Sequence, residues 1–156
     1  MKKKDSKSIN FKKEIFNLWN NKKYVKKYNN FKYTSKDQNT YYLNGRRDIV
    51  LKYLKKLNLP NNSSILELGY GAGQNAKYFM KFCKKFYGIE ISKPLMTFAK
   101  KKNIKQVNKG KAKFTVGSIE EKFKIKSNSI DVVIIVGVLQ YVISPKKCFD
   151  ECKRVL

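Results

Sequence analysis

The chain has 156 residues, 42% of them apolar and 13% aromatic, which is enough to bury one core and too short for two ordinary domains. No apolar run approaches the ~20 residues of a membrane-spanning helix, and the basic start MKKKDSKSINFKKEIFNLW lacks a secretory leader's apolar stretch, so the expectation is a cytoplasmic protein without membrane contact. The net charge is +25 and histidine is absent, which removes Ser-His-Asp and Cys-His nucleophile schemes, a His general base and a His-ligated metal; no metal site is expected.

The charge alone does not indicate a nucleic-acid protein. Only three of the 36 basic residues are arginine (Arg46, Arg47 and Arg154), and arginine is the residue that reads phosphates and guanines bidentately. Lysine instead rises together with Asn, Ile, Tyr and Phe, all residues of A/T-rich codons, and is spread along the chain. A solvated surface is the reading taken, with nucleic acid kept as the alternative partner. Cys83, Cys148 and Cys152 are an odd set without a leader, and read as reduced, buried thiols.

In chain order, residues 1–7 are polar and expected to fray. From Ser8 to Tyr28 the positions Phe11, Ile15, Leu18, Trp19 and Val25 fit one loose helical stripe. Residues 29–41 read as loop. A second helix is predicted over 43–58, with the stripe Ile49, Val50, Tyr53, Leu54 and Leu57, ended by Asn58 and Pro60.

The pattern then alternates. SILEL (64–68) is a buried strand, residues 74–85 a helix with Tyr78, Phe79, Phe82 and Cys83 inward, and FYGIEI (86–91) a second strand. Ser92 and Pro94 open a helix, AKFTVGS (112–118) is a third strand, and IDVVIIVGV (130–138) is apolar enough for a strand covered on both faces. Ser144-Pro145 starts a last helix with Cys148, Phe149, Cys152 and Val155 inward. Four strands interleave with helices, which implies an α/β, Rossmann-like doubly wound parallel sheet (63–156) behind an N-terminal helical extension or lid (1–62). Ligands in such sheets sit beyond the carboxyl ends of the strands.

At the end of the first strand stands ELGYGAGQN. Gly69, Gly71 and Gly73 let a ligand approach the backbone, and the helix that follows offers free N–H groups. Glu90, at the tip of the second strand and 23 residues after Glu67, is placed to accept from two ribose hydroxyls. Gln74 stands where a G-x-G-x-x-G dinucleotide fingerprint needs its third glycine, and no G-K-[ST] phosphate loop exists. Glu67 would repel a pyrophosphate but suits a ligand carrying an ammonium and a sulfonium.

ELGYGAG resembles motif I (E/D-x-G-x-G-x-G) of the class I S-adenosylmethionine-dependent methyltransferases, and GIEIS resembles that family's second motif. VGSIEEKFKIKSNSIDVVIIVGVLQYV is similar to its third strand, following loop, fourth strand and turn, and CFDECKRVL to the next helix. The resemblance implies S-adenosyl-L-methionine as cofactor. Gly69, Gly71 and Gly73 would approach the methionine part and ribose, and Glu67 the amino group. Glu90 would take the ribose hydroxyls, Ile91 the adenine face, and Ser118 and Ile119 the adenine edge. Ile135 and Val136 would offer backbone to the amino group. Ser118 stands where the family usually has Asp, a stronger acceptor for the adenine amine.

No D/N-P-P-Y-type motif follows the fourth strand, and GVLQYV is similar to the turn of small-molecule methyltransferases, with Tyr141 in place of the usual His. The implied activity is methyl transfer to a small-molecule acceptor, with no residue named as catalytic. The alternatives are a cofactor-binding pseudoenzyme or truncated fragment, an RNA methyltransferase, and a nicotinamide-dependent oxidoreductase. Trp19, Tyr24, Tyr28, Tyr41 and Tyr42 are candidates to roof the acceptor site, and Arg46 or Arg47 to reach the donor's carboxylate. The family's usual strands five to seven have no counterpart among these motifs. Strand 130–138 would then be an unpaired edge, and the expectation is impaired turnover, or a homodimer that completes the sheet.

Overall fold

In the computed structural model the backbone is described for residues 2–34 and 38–156, and side chains for 9–29 and 41–156. Four parallel strands form one sheet in the order β3-β2-β1-β4. They are β1 (Ser64–Leu68), β2 (Lys85–Glu90), β3 (Ala112–Val116) and β4 (Val132–Ile135). Crossovers on either side of β1 place β2 and β4 next to it, with Glu67 in register with Gly88 and Ile134. The strand order reverses at β1, so the loop after β1 opens into the crevice of the switch point.

The helices are α1 (Lys2–Asn20), α2 (Lys22–Thr34), α3 (Gln38–Lys56), α4 (Ala76–Phe79), α5 (Lys93–Lys102), α6 (Ile104–Asn108) and α7 (Pro145–Val155). The first two replace the single helix expected over 8–28, and α1 already begins at Lys2 where fraying is predicted. The chain breaks at Asn21, whose side-chain oxygen accepts from the Tyr24 N–H at 3.0 Å, so that Asn21 caps α2. Of the loop expected at 29–41, residues 35–37 lie outside the described residues, and the flanks are helical.

Two cores flank the sheet. One holds Leu54, Ile65, Phe79, Phe86 and Phe114, and the other Leu66, Leu68, Ile130, Cys148, Cys152 and Val155. All three cysteines are buried free thiols. The helical stripes need correction. On α3, Leu54 is buried while Ile49 and Tyr53, and Leu57 just past the helix end, are exposed, because Val50 and Leu51 turn with Leu54 toward the core. Phe149 of α7 is half exposed, since Cys148 and Cys152, one helical turn apart, take the inner face. The helix expected over 74–85 is only α4 followed by one 3₁₀ turn (Met80–Phe82).

Candidate functional site

The loop after β1 carries Gly69, Gly71 and Gly73 at φ of +70°, +57° and +70°, a region side chains rarely adopt. Gly69 is tied to β2 by its N–H, which donates to the Ile89 carbonyl at 2.8 Å. Two of the glycines are required by the protein's own packing. A Cβ on Gly69 would stand 2.7 Å from Val138 Cγ2, and one on Gly73 would stand 2.8 Å from Ala99 Cβ and 3.0 Å from Ala99 Cα.

Glu90 ends β2 and organises the site. Its Oε2 accepts from the Gly71 N–H at 3.0 Å and its Oε1 from the Ser92 N–H at 3.1 Å. Each oxygen keeps a second lone pair for a ligand. Burial pushes this carboxyl up, opposed by the N–H groups of Ser92, Gly71 and Ile91. Glu67, 4% exposed in the middle of the sheet's C-terminal edge, has an Oε2 with no hydrogen-bond partner among the described residues. Burial first, and the nearby Glu90 second, push its carboxyl up to about 8.

A cavity of about 100 Å³ lies over these groups. Gly69, Gly71 and Glu90 form its floor, and Ile91, Ser118 and Ile119 line one side. Gly137, Val138 and Tyr141 line the other. Ile15 and Trp19 of α1 and Tyr28 of α2 close it from above. Trp19 packs edge-on against Tyr28 and Tyr141, with ring centroids 4.9 and 5.7 Å away. The roof is fastened to the turn after Glu90: the Ser92 hydroxyl donates to the Trp19 carbonyl, Asn20 Nδ2 donates to the Ile91 carbonyl at 3.3 Å, and the Lys93 N–H donates to Asn20 Oδ1 at 3.0 Å. Two carboxylates, Glu90 and Glu120, and no Lys or Arg line the cavity among the described residues, in a chain of net charge +25.

Of the ten residues singled out from sequence, Gly69, Gly71, Glu90, Ile91, Ser118 and Ile119 therefore share one cavity. Glu67, Gly73, Ile135 and Val136 do not line it. For Ile135 and Val136 the reason is the backbone: β4 ends at Ile135, and the chain turns at Gly137 (φ +67°), so Gly137 and Val138 are presented instead. A lone glycine just past an apolar strand was the available signal. Nothing local marks Glu120 or Leu95 as lining residues. Arg46 lies beside the cavity mouth, its Nη1 2.6 Å from where a Cβ on Gly137 would stand, and its Nη2 donates to the Tyr42 hydroxyl at 2.5 Å. Arg47 faces away, stacked over Tyr78. Tyr41 and Tyr42 are exposed, outside the roof.

Residues 66–156 match the family described as "Methyltransferase domain". An uncharacterized protein of Methanocaldococcus jannaschii is 36% identical over 93 residues, which cover 58% of this chain and 38% of that protein. Among solved structures, a SAM-dependent methyltransferase from Aquifex aeolicus is 25% identical at a TM-score of 0.59, over 67% of this chain and 56% of that one. A proposed S-adenosyl-L-methionine-dependent methyltransferase from Methanococcus maripaludis matches in fold at a TM-score of 0.69 and 16% identity, over 86% of this chain and 58% of that one. The chain thus spans between about two fifths and three fifths of the length of these relatives. No described helix is long and apolar enough to cross a membrane.

Proposed function

The chain belongs to the methyltransferase-domain family, and on that premise we propose that its cavity binds S-adenosyl-L-methionine for methyl transfer to a small-molecule acceptor. The observation that carries this reading is a cavity lined by the buried Glu90 and a left-handed glycine loop without a basic side chain, with the buried Glu67 near Glu90 but outside the lining. Two buried acids, of which Glu90 adds to the upward push that burial gives Glu67, favour a ligand with positive charge and disfavour a pyrophosphate. Glu90, held from both sides by backbone N–H groups, offers two fixed acceptors to a vicinal diol. Ile91, Ile119 and Leu95 supply apolar surface for a purine, and Ser118 a hydroxyl at its edge. Arg46, beside Gly137, is the cation placed to meet the ligand's carboxylate. Bound there, the cofactor would supply an electrophilic methyl group on sulfur.

The residues' own task is positioning and exclusion of water, and alignment alone can supply roughly 7–11 kcal/mol of barrier lowering. The roof of Ile15, Trp19 and Tyr28 contributes both. The cavity is smaller than the roughly 300 Å³ at the low end of ligand pockets, so α1 and α2 must shift outward for the whole cofactor to enter. Tyr141, Tyr28 and Trp19 give the remaining wall an aromatic, uncharged character that suits a small organic acceptor. β4 has no second neighbour among the described strands, and we propose that this edge pairs with a second copy.

The test is a titration with S-adenosylhomocysteine followed by the fluorescence of Trp19, the only tryptophan, with NAD in a parallel titration. Saturable change with the first and none with the second is expected. No change in a folded protein with either ligand, or a response to NAD alone, overturns the reading.

A further inference from the structure

Of the two carboxylates that line the cavity, Glu90 faces the ribose, and Glu120 follows Ile119 on the wall where the purine is placed. Glu120 also lines a cleft of about 330 Å³ beside the cavity, together with Lys12, Phe16, Val116 and Glu121. Ile15, Ile91, Ser118 and Tyr141 line both spaces, so the Glu120 carboxylate stands where the cavity meets the cleft.

The Glu120 side chain is only 7% exposed and is held through one oxygen. Its Oε1 accepts from the Ser144 N–H at 2.8 Å and lies 3.5 Å from Lys12 Nζ of α1. Its Oε2 accepts from no described residue. That oxygen is not walled in, because the buried side-chain atoms that lack a partner among the described residues are on Ser63, Glu67 and Gln74. A carboxylate pinned by one oxygen thus keeps the other as a fixed acceptor.

Ser118, its polar neighbour on the same wall, is less free. Ser118 Oγ already accepts from the Glu120 N–H at 3.2 Å, and an uncharged hydroxyl is the weaker acceptor. A purine with an amine at its edge meets this acceptor with an N–H. A purine with a carbonyl there sets oxygen against oxygen, and the carboxylate is left without a donor.

We infer that Glu120 selects an amino-purine: its Oε2 accepts from the exocyclic amine of the ligand's adenine, and a purine with a carbonyl at that position is rejected. Resting on the methyl-donor reading of the cavity, this makes Glu120 the residue that fixes which nucleoside the site takes.

Calorimetric titration of the full chain with S-adenosylhomocysteine, and separately with its 6-oxo counterpart S-inosylhomocysteine, tests it. The wild type is expected to bind the amine form about tenfold or more tightly, the scale of one hydrogen bond to a charged group. Glu120→Gln keeps an oxygen for the Ser144 N–H and offers the purine either a carbonyl or an NH₂, so that preference should fall by about tenfold. Ser118→Ala should leave the preference in place, as should Glu121→Gln, an exposed acid that lines the cleft but not the cavity. The ring nitrogen that also changes between the two ligands affects wild type and variants alike and cancels when their ratios are compared. A Glu120 that only braces Ser144 would weaken both ligands equally on mutation and leave the ratio unchanged. That result overturns the inference, and so does a wild type that binds both forms equally. A wild type that binds neither form overturns the donor reading itself, and the role of Glu120 with it.

Discussion

Replacing Glu67 by Gln should make the protein less sensitive to pH, and the size of the effect follows from where Glu67 lies. The side chain is buried, one of its oxygens has no partner among the described residues, and its carboxyl is pushed from 4.5 up to about 8. Between those values the unfolded chain has released the proton and the folded chain still holds it. Stability therefore falls as pH rises through the window, by about 1.4 kcal/mol per unit for one group. From pH 5 to pH 8 the loss through Glu67 is on the order of 4 kcal/mol. Few other groups interfere. The chain has no histidine, the thiols of Cys83 and Cys152 are pushed up to about 11 and about 12, and Glu90 shifts in the same direction as Glu67. The amide in Glu67→Gln has its own unmet group, but that cost is the same at every pH and cancels in the slope. Urea unfolding followed by circular dichroism at pH 5, 6.5 and 8 gives both slopes. A wild type that loses several kcal/mol more than the variant supports the account. Equal slopes would mean that Glu67 is ionised in the folded protein, and that the reasoning from burial is wrong.

Further outcomes follow from the same geometry. Gly73→Ala should lower stability by about 2–4 kcal/mol in the same unfolding assay, combining a left-handed backbone with a Cβ driven into Ala99, whose Cα is too close to move cheaply. Arg46→Ala should weaken S-adenosylhomocysteine by about tenfold, the scale of one charge-assisted hydrogen bond, while Arg47→Ala, at a residue stacked over Tyr78 and outside the cavity lining, should leave that affinity unchanged in the Trp19 titration. If the ligand's ammonium approaches Glu67, binding at pH 6.5 should release a proton, read as a dependence of the calorimetric heat on the buffer's ionisation enthalpy. Equilibrium sedimentation should show a dimer, and a monomer at all concentrations would contradict pairing at the β4 edge.

The sheet was readable because its strands are short apolar runs bounded by turn residues, and each crossover has a helix-length spacing. The four strands fall within the expected segments to a residue at most, except that β3 and β4 stop earlier than their apolar runs suggest. Ser92 was legible as a helix start and does cap α5, accepting from the Leu95 N–H at 3.2 Å. The glycine loop was legible as a site, but not which glycine serves what. Gly69 and Gly73 make room for Val138 and Ala99, contacts across 69 and 26 positions that no local pattern encodes. The break at Asn21 was hidden because apolar residues continue on both sides of it. The α3 stripe failed for a related reason: adjacent apolar pairs such as Tyr53 and Leu54 satisfy two helix faces, and only the neighbouring core decides between them. The fastening of α1 by Asn20 and Ser92 joins residues 73 positions apart, and gives no trace in either segment alone.

The central claim is that Glu90 and the glycine loop form a methyl-donor site. Calorimetric titration with S-adenosylhomocysteine of the wild type beside Glu90→Gln and Glu90→Ala tests it most directly. The account predicts saturable one-to-one binding by the wild type. It predicts about tenfold weaker binding by Glu90→Gln, which keeps one acceptor oxygen, and a larger loss in Glu90→Ala, which keeps none. A folded wild type that does not bind, or folded variants that bind as tightly as the wild type, would contradict it.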